Sequence, residues 1–168
     1  MDLLNTKEAL RQWTQAVVDQ AKKNLITQDK VVSGNLMDSL KVSKLREDAT
    51  GLSSQIEMAS YGEFIDKGVS GIKKKYQTPY SYKKKMPPIS KLDKWVVRRG
   101  IAPRDDKGRF LPRKSVLFMI ARGIYYNGIK PSLFLTKPYE SMRNDLPFQL
   151  AVGFTEDARA ILKLEIEK

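Results

Sequence analysis

Between Lys67 and Lys114 the chain carries sixteen Lys and Arg against three acids, Asp93, Asp105 and Asp106, a local charge of +13. The other 120 residues sum to −1. Nearly all of the net +12 therefore lies in one insertion-like stretch. Charge localised in this way points to contact with phosphate or an acidic protein surface more than to general solubility. A chain of 168 residues, 41% of them hydrophobic, is long enough to bury one continuous core. We expect a single α+β domain over 1–168, with a basic insertion or arm at about 68–113.

The flanks supply the regular elements. Leu10, Trp13, Val17, Ala21 and Leu25 recur at helical spacing, which predicts an amphipathic helix over 6–26. Asn5 and Glu8, three apart at its start, have the form of a capping box. Ser33 and Gly34 then break the chain. Leu52, Ser54, Ile56 and Met58 alternate with Ser53, Gln55 and Glu57, which predicts the second strand of a β-hairpin over about 39–59 with one wet face. The polar run REDATG, 46–51, reads as its link. The expected architecture is a small antiparallel sheet packed against the N-terminal helix and C-terminal helices.

Inside the basic stretch, GIKKKYQTPYSYKKKMPP alternates the triplets Lys73–Lys75 and Lys83–Lys85 with Tyr76, Tyr80 and Tyr82. Two readings stay open: an extended arm for a polyanion, or a solvated loop whose aromatics tuck back onto the core. PPISKLDKWVVRRG predicts a short helix, with Pro88 at its start, Ile89, Leu92, Trp95 and Val96 on one face, and Gly100 as terminator. Arg98 and Arg99 in its last turn also suit the helix dipole. Residues 102–113, with Arg104, Arg109 and Arg113, form a breaker-rich basic loop. Residues 115–127 predict a helix buried against the sheet, ended by Gly128, and GIKPSLFLTKP reads as a stiff extended connector. The last helix is clearest in TEDARAILKLEIEK, with Thr155 as N-cap.

Chemistry is narrowed by what is missing. The sequence has no cysteine and no histidine, so disulfides, thiolate or imidazole metal sites and the commonest general base are excluded. Glu63 and Asp66, three apart, are the one carboxylate pair that would suit Mg²⁺ on a phosphodiester, but no further ligand set accompanies them. No phosphate-cradling loop is present. We expect no enzyme activity, cofactor, metal or small-molecule substrate. No run of about 18 or more apolar residues predicts a membrane span. The N-terminus has no basic and apolar leader pattern, so a soluble, cytosolic product is expected.

ASYGEFIDKGVSG, 59–71, sits between the hairpin and the lysine triplets. It reads as a structural helix or turn with Tyr61 and Phe64 inward and Glu63, Asp66 and Lys67 outward as candidates for subunit contact. Gly68–Gly71 reads as the hinge from which the basic arm departs.

The order of these parts resembles a tailed-bacteriophage family of neck or tail-completion (head–tail joining) proteins, the minor tail protein Z-like group. Gly34, Leu36, Ser39 and Leu40 match its first element, and Ala59, Tyr61, Phe64 and Gly68 its second. Pro131, Phe134, Leu135 and Pro138 match the third. The sequence departs from the family in reading EFIDKG where many members read closer to EFGT, and in its long basic segment 72–113. The resemblance implies a structural virion subunit, made in the host cytoplasm, that forms a homo-oligomeric ring between the portal or connector and the tail. Genomic double-stranded DNA would pass through or near its channel. Lys73, Lys74, Lys75, Lys83, Lys84, Lys85, Arg98, Arg99, Arg104, Arg109 and Arg113 are then the candidate contacts to DNA or to a neighbouring protein. A second reading is a nucleic-acid-binding protein that uses 72–113 for backbone contact and its tyrosines for stacking.

Overall fold

A computed structural model describes residues 3–49 and 51–166, and these form seven helices and four short strands, an α+β fold. The chain divides into two compact units. One comprises the residues up to Gln28, Asn35–Ala59 and the chain from Phe134 on. The other comprises Asp29–Gly34 and Ser60–Leu133.

The first unit is built on helix α1, Leu4–Thr27. Its stripe of Leu10, Trp13, Val17, Val18, Ala21 and Leu25 is buried, as the spacing predicts. Each such aliphatic side chain removed from water stabilises the unit by about 1.5–3 kcal/mol. Helix α2, Asn35–Ser39, follows Gly34, whose φ of 79° suits glycine. Strands β1 (Lys41–Val42) and β4 (Ile56–Glu57) pair antiparallel, as do β2 (Arg46–Asp48) and β3 (Gly51–Ser53). They are two rungs of one hairpin. Residues 43–45 face only 54–55, so the register slips by one between the pairs, as at a β-bulge. The hairpin reaches further than its polar link suggests, since Arg46–Asp48 is itself a strand. Leu52, Ser54, Ile56 and Met58 are the less exposed face. The Ser39 hydroxyl closes the base, accepting the N–H of Ala59 at 2.9 Å.

The unit is completed by α6, Thr136–Met142, and α7, Leu146–Ile166, both packed on α1. The expected extended connector ends in α6 because Pro138 falls in the first turn, where a missing N–H costs nothing. Phe134 is fully buried, and the Trp13 indole donates to the Met142 carbonyl at 3.0 Å. Thr155 is not an N-cap: α7 begins nine residues earlier, and the Thr155 hydroxyl donates to the Ala151 carbonyl inside the helix. Gly153, which looks like a breaker, is where α7 crosses α1. A Cβ there would stand 2.8 Å from the Asn5 carbonyl oxygen.

Nor is Asn5 a capping residue. It lies within α1, and the start of that helix is capped from α7 by Asp157.

In the second unit, α3 (Gly62–Asp66) precedes the lysine–tyrosine loop, α4 (Ile89–Arg98) and α5 (Arg113–Asn127). Helix α4 starts after Pro88 and ends at Gly100, φ 62°, as expected. Its Val96 is buried, while Trp95 is partly exposed. Helix α5 buries Val116, Leu117 and Ala121 and packs on α4, the partner that replaces the expected sheet. The segment read as a basic insertion or arm, 68–113, thus contains α4 and belongs with α5 to one compact unit. That unit carries +13 and the first unit −1, so the charge boundary in the sequence is also a structural one.

Candidate polyanion-binding surface

Ser70 anchors the lysine–tyrosine loop. Its N–H donates to the Tyr80 carbonyl and its carbonyl accepts from Tyr82, both at 2.9 Å, while its hydroxyl accepts the Tyr76 N–H at 2.9 Å. Thr78 adds a bond to the Gly68 carbonyl. Tyr80 and Tyr82 turn inward. Tyr80 packs edge-on to Phe64 at 4.6 Å and donates its hydroxyl to Glu63, and Tyr82 lies edge-on to Tyr125. The Glu63 hydrogen bond pushes the Tyr80 phenol above its ordinary value, and burial does the same for Tyr82. Of the two readings of this loop, the aromatics follow the second. The triplets do not follow them: Lys73–Lys75 and Lys83–Lys85 are all exposed.

The eleven basic candidates separate into two groups. Arg99, Arg109 and Arg113 form ion pairs with Asp29, Asp105 and Asp93, so their charges are largely balanced. The Arg109 N–H holds the Asp105 carboxyl below its usual range despite burial, with further bonds from the Arg109 side chain and Lys107. Arg104 stacks on Phe110 at 3.8 Å. The ammonium of Lys74 stands over Tyr76, and that of Lys75 donates to the Gly71 carbonyl. Lys83, Lys84, Lys85 and Arg98 are exposed and make no ion pair among the described residues. Eight of the eleven therefore keep an unbalanced positive charge.

The 59–71 stretch is placed differently from its reading. Tyr61 and Phe64 are 43% and 41% exposed, and Asp66 is only 3% exposed. On so short a helix the four-residue spacing puts Gly62 and Asp66 on the inner face, which leaves Phe64 to the Tyr80 ring. Glu63 and Lys67 remain exposed, so the outward trio is reduced to two. Buried Asp66 and exposed Glu63 stand in different environments and share no open carboxylate site.

Gly68–Gly71 is not a hinge. Val69 bridges to Ile129 in both directions, at 2.9 and 2.8 Å. A Cβ on Gly71 would lie 2.2 Å from the Tyr126 carbonyl oxygen, and one on Gly128 2.1 Å from that of Val69. Two backbones meet here at a distance only glycine permits.

This contact also closes α5. The N–H groups of Ile72, Lys73 and Lys74 donate to the Tyr125 and Tyr126 carbonyls at 2.9–3.2 Å, satisfying the helix C-terminus and bringing cations to its negative end. A groove of about 420 Å³ opens beside it, lined by Lys73, Met119, Arg122, Gly123, Tyr126 and Asn127. The Lys73 ammonium and the Arg122 guanidinium stand 5.2 and 5.6 Å from the centre of the Tyr126 ring. No acid lines the groove. Sequence reasoning passed over Arg122 because 115–127 is apolar on most sides. The available signal was the spacing of Met119, Arg122, Gly123 and Tyr126, which puts all four on one face.

No family model, curated protein or solved structure matches the chain. Among the described residues no three Asp or Glu cluster as a metal site, and no helix is long and apolar enough to cross a membrane.

Proposed function

We propose that the chain is a structural subunit of a tailed-bacteriophage virion, a neck or tail-completion protein that forms a ring between the head connector and the tail around the DNA channel. The observation that carries this reading is the confinement of the whole charge excess to one unit, where eight of the eleven named cations have no acid to balance them among the described residues. In a ring each weak phosphate contact is repeated by every subunit, so small contributions add through counterion release.

A ring also needs apolar surface for its subunit contacts. In the first unit α7 exposes Phe148, Val152 and Leu162 on the side away from buried Gly153 and Asp157. Such a face suits association between copies. The family-like positions support a common frame: Leu36, Leu40, Phe134 and Pro138 are buried, and Gly34 and Gly68 have the positive φ that favours glycine. Electron microscopy of the purified protein and of virions tests the reading through ring formation and location at the neck.

The second reading, a free nucleic-acid-binding protein, keeps its lysine contacts but loses two of its three stacking tyrosines, since Tyr80 and Tyr82 are engaged within the unit.

A further inference from the structure

Nothing in the packing of α5 requires a glycine at Gly123. It lies inside a 15-residue helix, where glycine is unfavourable relative to alanine. A Cβ at this position would meet nothing within 4 Å, so no packing contact requires its absence. The contrast with Gly71 and Gly128, where the neighbouring backbone leaves no room, is direct. What Gly123 does border is the groove between Lys73 and Arg122. A bare helix backbone in the lining of a cationic groove is what close approach by a ligand requires.

We propose that this groove binds the phosphodiester backbone of a nucleic acid. Lys73 and Arg122 reach the groove from separate segments, and the ring of Tyr126 holds both in place by cation–π attraction. Their charges are balanced by no carboxylate in the lining, so an incoming anion displaces no internal partner. Arg122 offers the planar fork that fits two non-bridging phosphate oxygens, and Lys73 adds a point charge. The Asn127 amide supplies a further donor at the same rim. A single carboxylate would also fit two cations. Lys74, Lys75 and Lys130 lie nearby in sequence and are exposed, which favours a ligand whose charge repeats along its length.

The inference takes its choice of ligand from the DNA-channel reading and deepens it, but its test stands apart. Binding is measured by fluorescence anisotropy on the full chain, with a labelled 20-base-pair duplex and a labelled oligo(dT) as separate arms. Lys73→Gln with Arg122→Gln is expected to weaken at least one arm tenfold or more at low salt, and to reduce the salt slope by roughly two. Gly123→Leu is expected to weaken the same arm at least tenfold while the melting temperature holds or rises. Gly123→Ala, which fills less of the groove, is expected to raise the melting temperature by roughly a few degrees and to weaken binding less. The proposal is overturned if these variants bind both probes like the parent chain. It is also overturned if polyglutamate of matched charge displaces the probe as well as unlabelled DNA does, which would assign the groove to an acidic protein. A chain that binds DNA here yet never enters a virion keeps the groove and loses the neck reading.

Discussion

The carboxylate of Asp157 accepts the backbone N–H of Thr6 at 2.9 Å and its hydroxyl at 2.7 Å, so a residue 151 positions away caps the first helix. The other carboxylate oxygen takes the N–H and side-chain amide of Asn5, both at 2.8 Å. One buried group thus satisfies two of the free donors at the start of α1 and fixes α7 against it. Replacing Asp157 by Ala is expected to lower the melting temperature by several degrees, as measured by circular dichroism.

The same group sets an acid limit. Burial pushes the Asp157 carboxyl up, but the hydrogen bonds from Thr6 and Asn5 outweigh it and hold it at about 2, against an ordinary 3.8. A carboxyl whose folded value is depressed stabilises the fold at and above its unfolded value. That contribution is lost as pH falls from about 4 through about 2. Denaturant midpoints measured between pH 5 and 2 are expected to decline in the parent chain and to decline less in Asp157→Asn.

Glu63 and Tyr80 give a spectroscopic counterpart. Because the hydrogen bond to Glu63 is the main cause of the raised Tyr80 phenol, Glu63→Gln is expected to bring it back toward 10. Ultraviolet titration of the phenolates would detect one tyrosine moving to lower pH. An unchanged titration would mean that the Tyr80 hydroxyl does not meet Glu63 in solution.

Gly71 separates a hinge from a packed crossing. If it were a hinge, alanine would be tolerated. With a Cβ 2.2 Å from the Tyr126 carbonyl, Gly71→Ala is expected to unfold the second unit selectively. Limited proteolysis should then cut within 60–133 and spare α1.

Lys83, Lys84 and Lys85 are exposed and make no ion pair among the described residues, so their loss should leave stability unchanged within about 0.5 kcal/mol. If the triplet meets DNA, neutralising all three should weaken binding and reduce the salt slope by roughly two to three. A titration of affinity against salt concentration measures both.

Local patterns were legible wherever the partner was water or the adjacent residue. The α1 stripe, the alternation Leu52–Met58, the Pro88 start and Gly100 stop of α4 and the Gly128 end of α5 all follow from short-range rules. The charge boundary was legible too, although not that the basic half folds as a unit. What escaped reading depends on distant residues. Asn5 looks like a cap until Asp157 supplies one, and Gly153 looks like a stop until α1 lies across it. Phe64 looks like core until Tyr80 covers it from the next loop. Similarly, Arg122 becomes part of a candidate site only when Lys73 is folded beside it.

The most direct test of the central claim is electron microscopy of the purified chain and of virions, with light scattering for mass. The account predicts rotationally symmetric rings and density for the chain at the head–tail junction. A protein absent from particles, and monomeric under every condition, would contradict it.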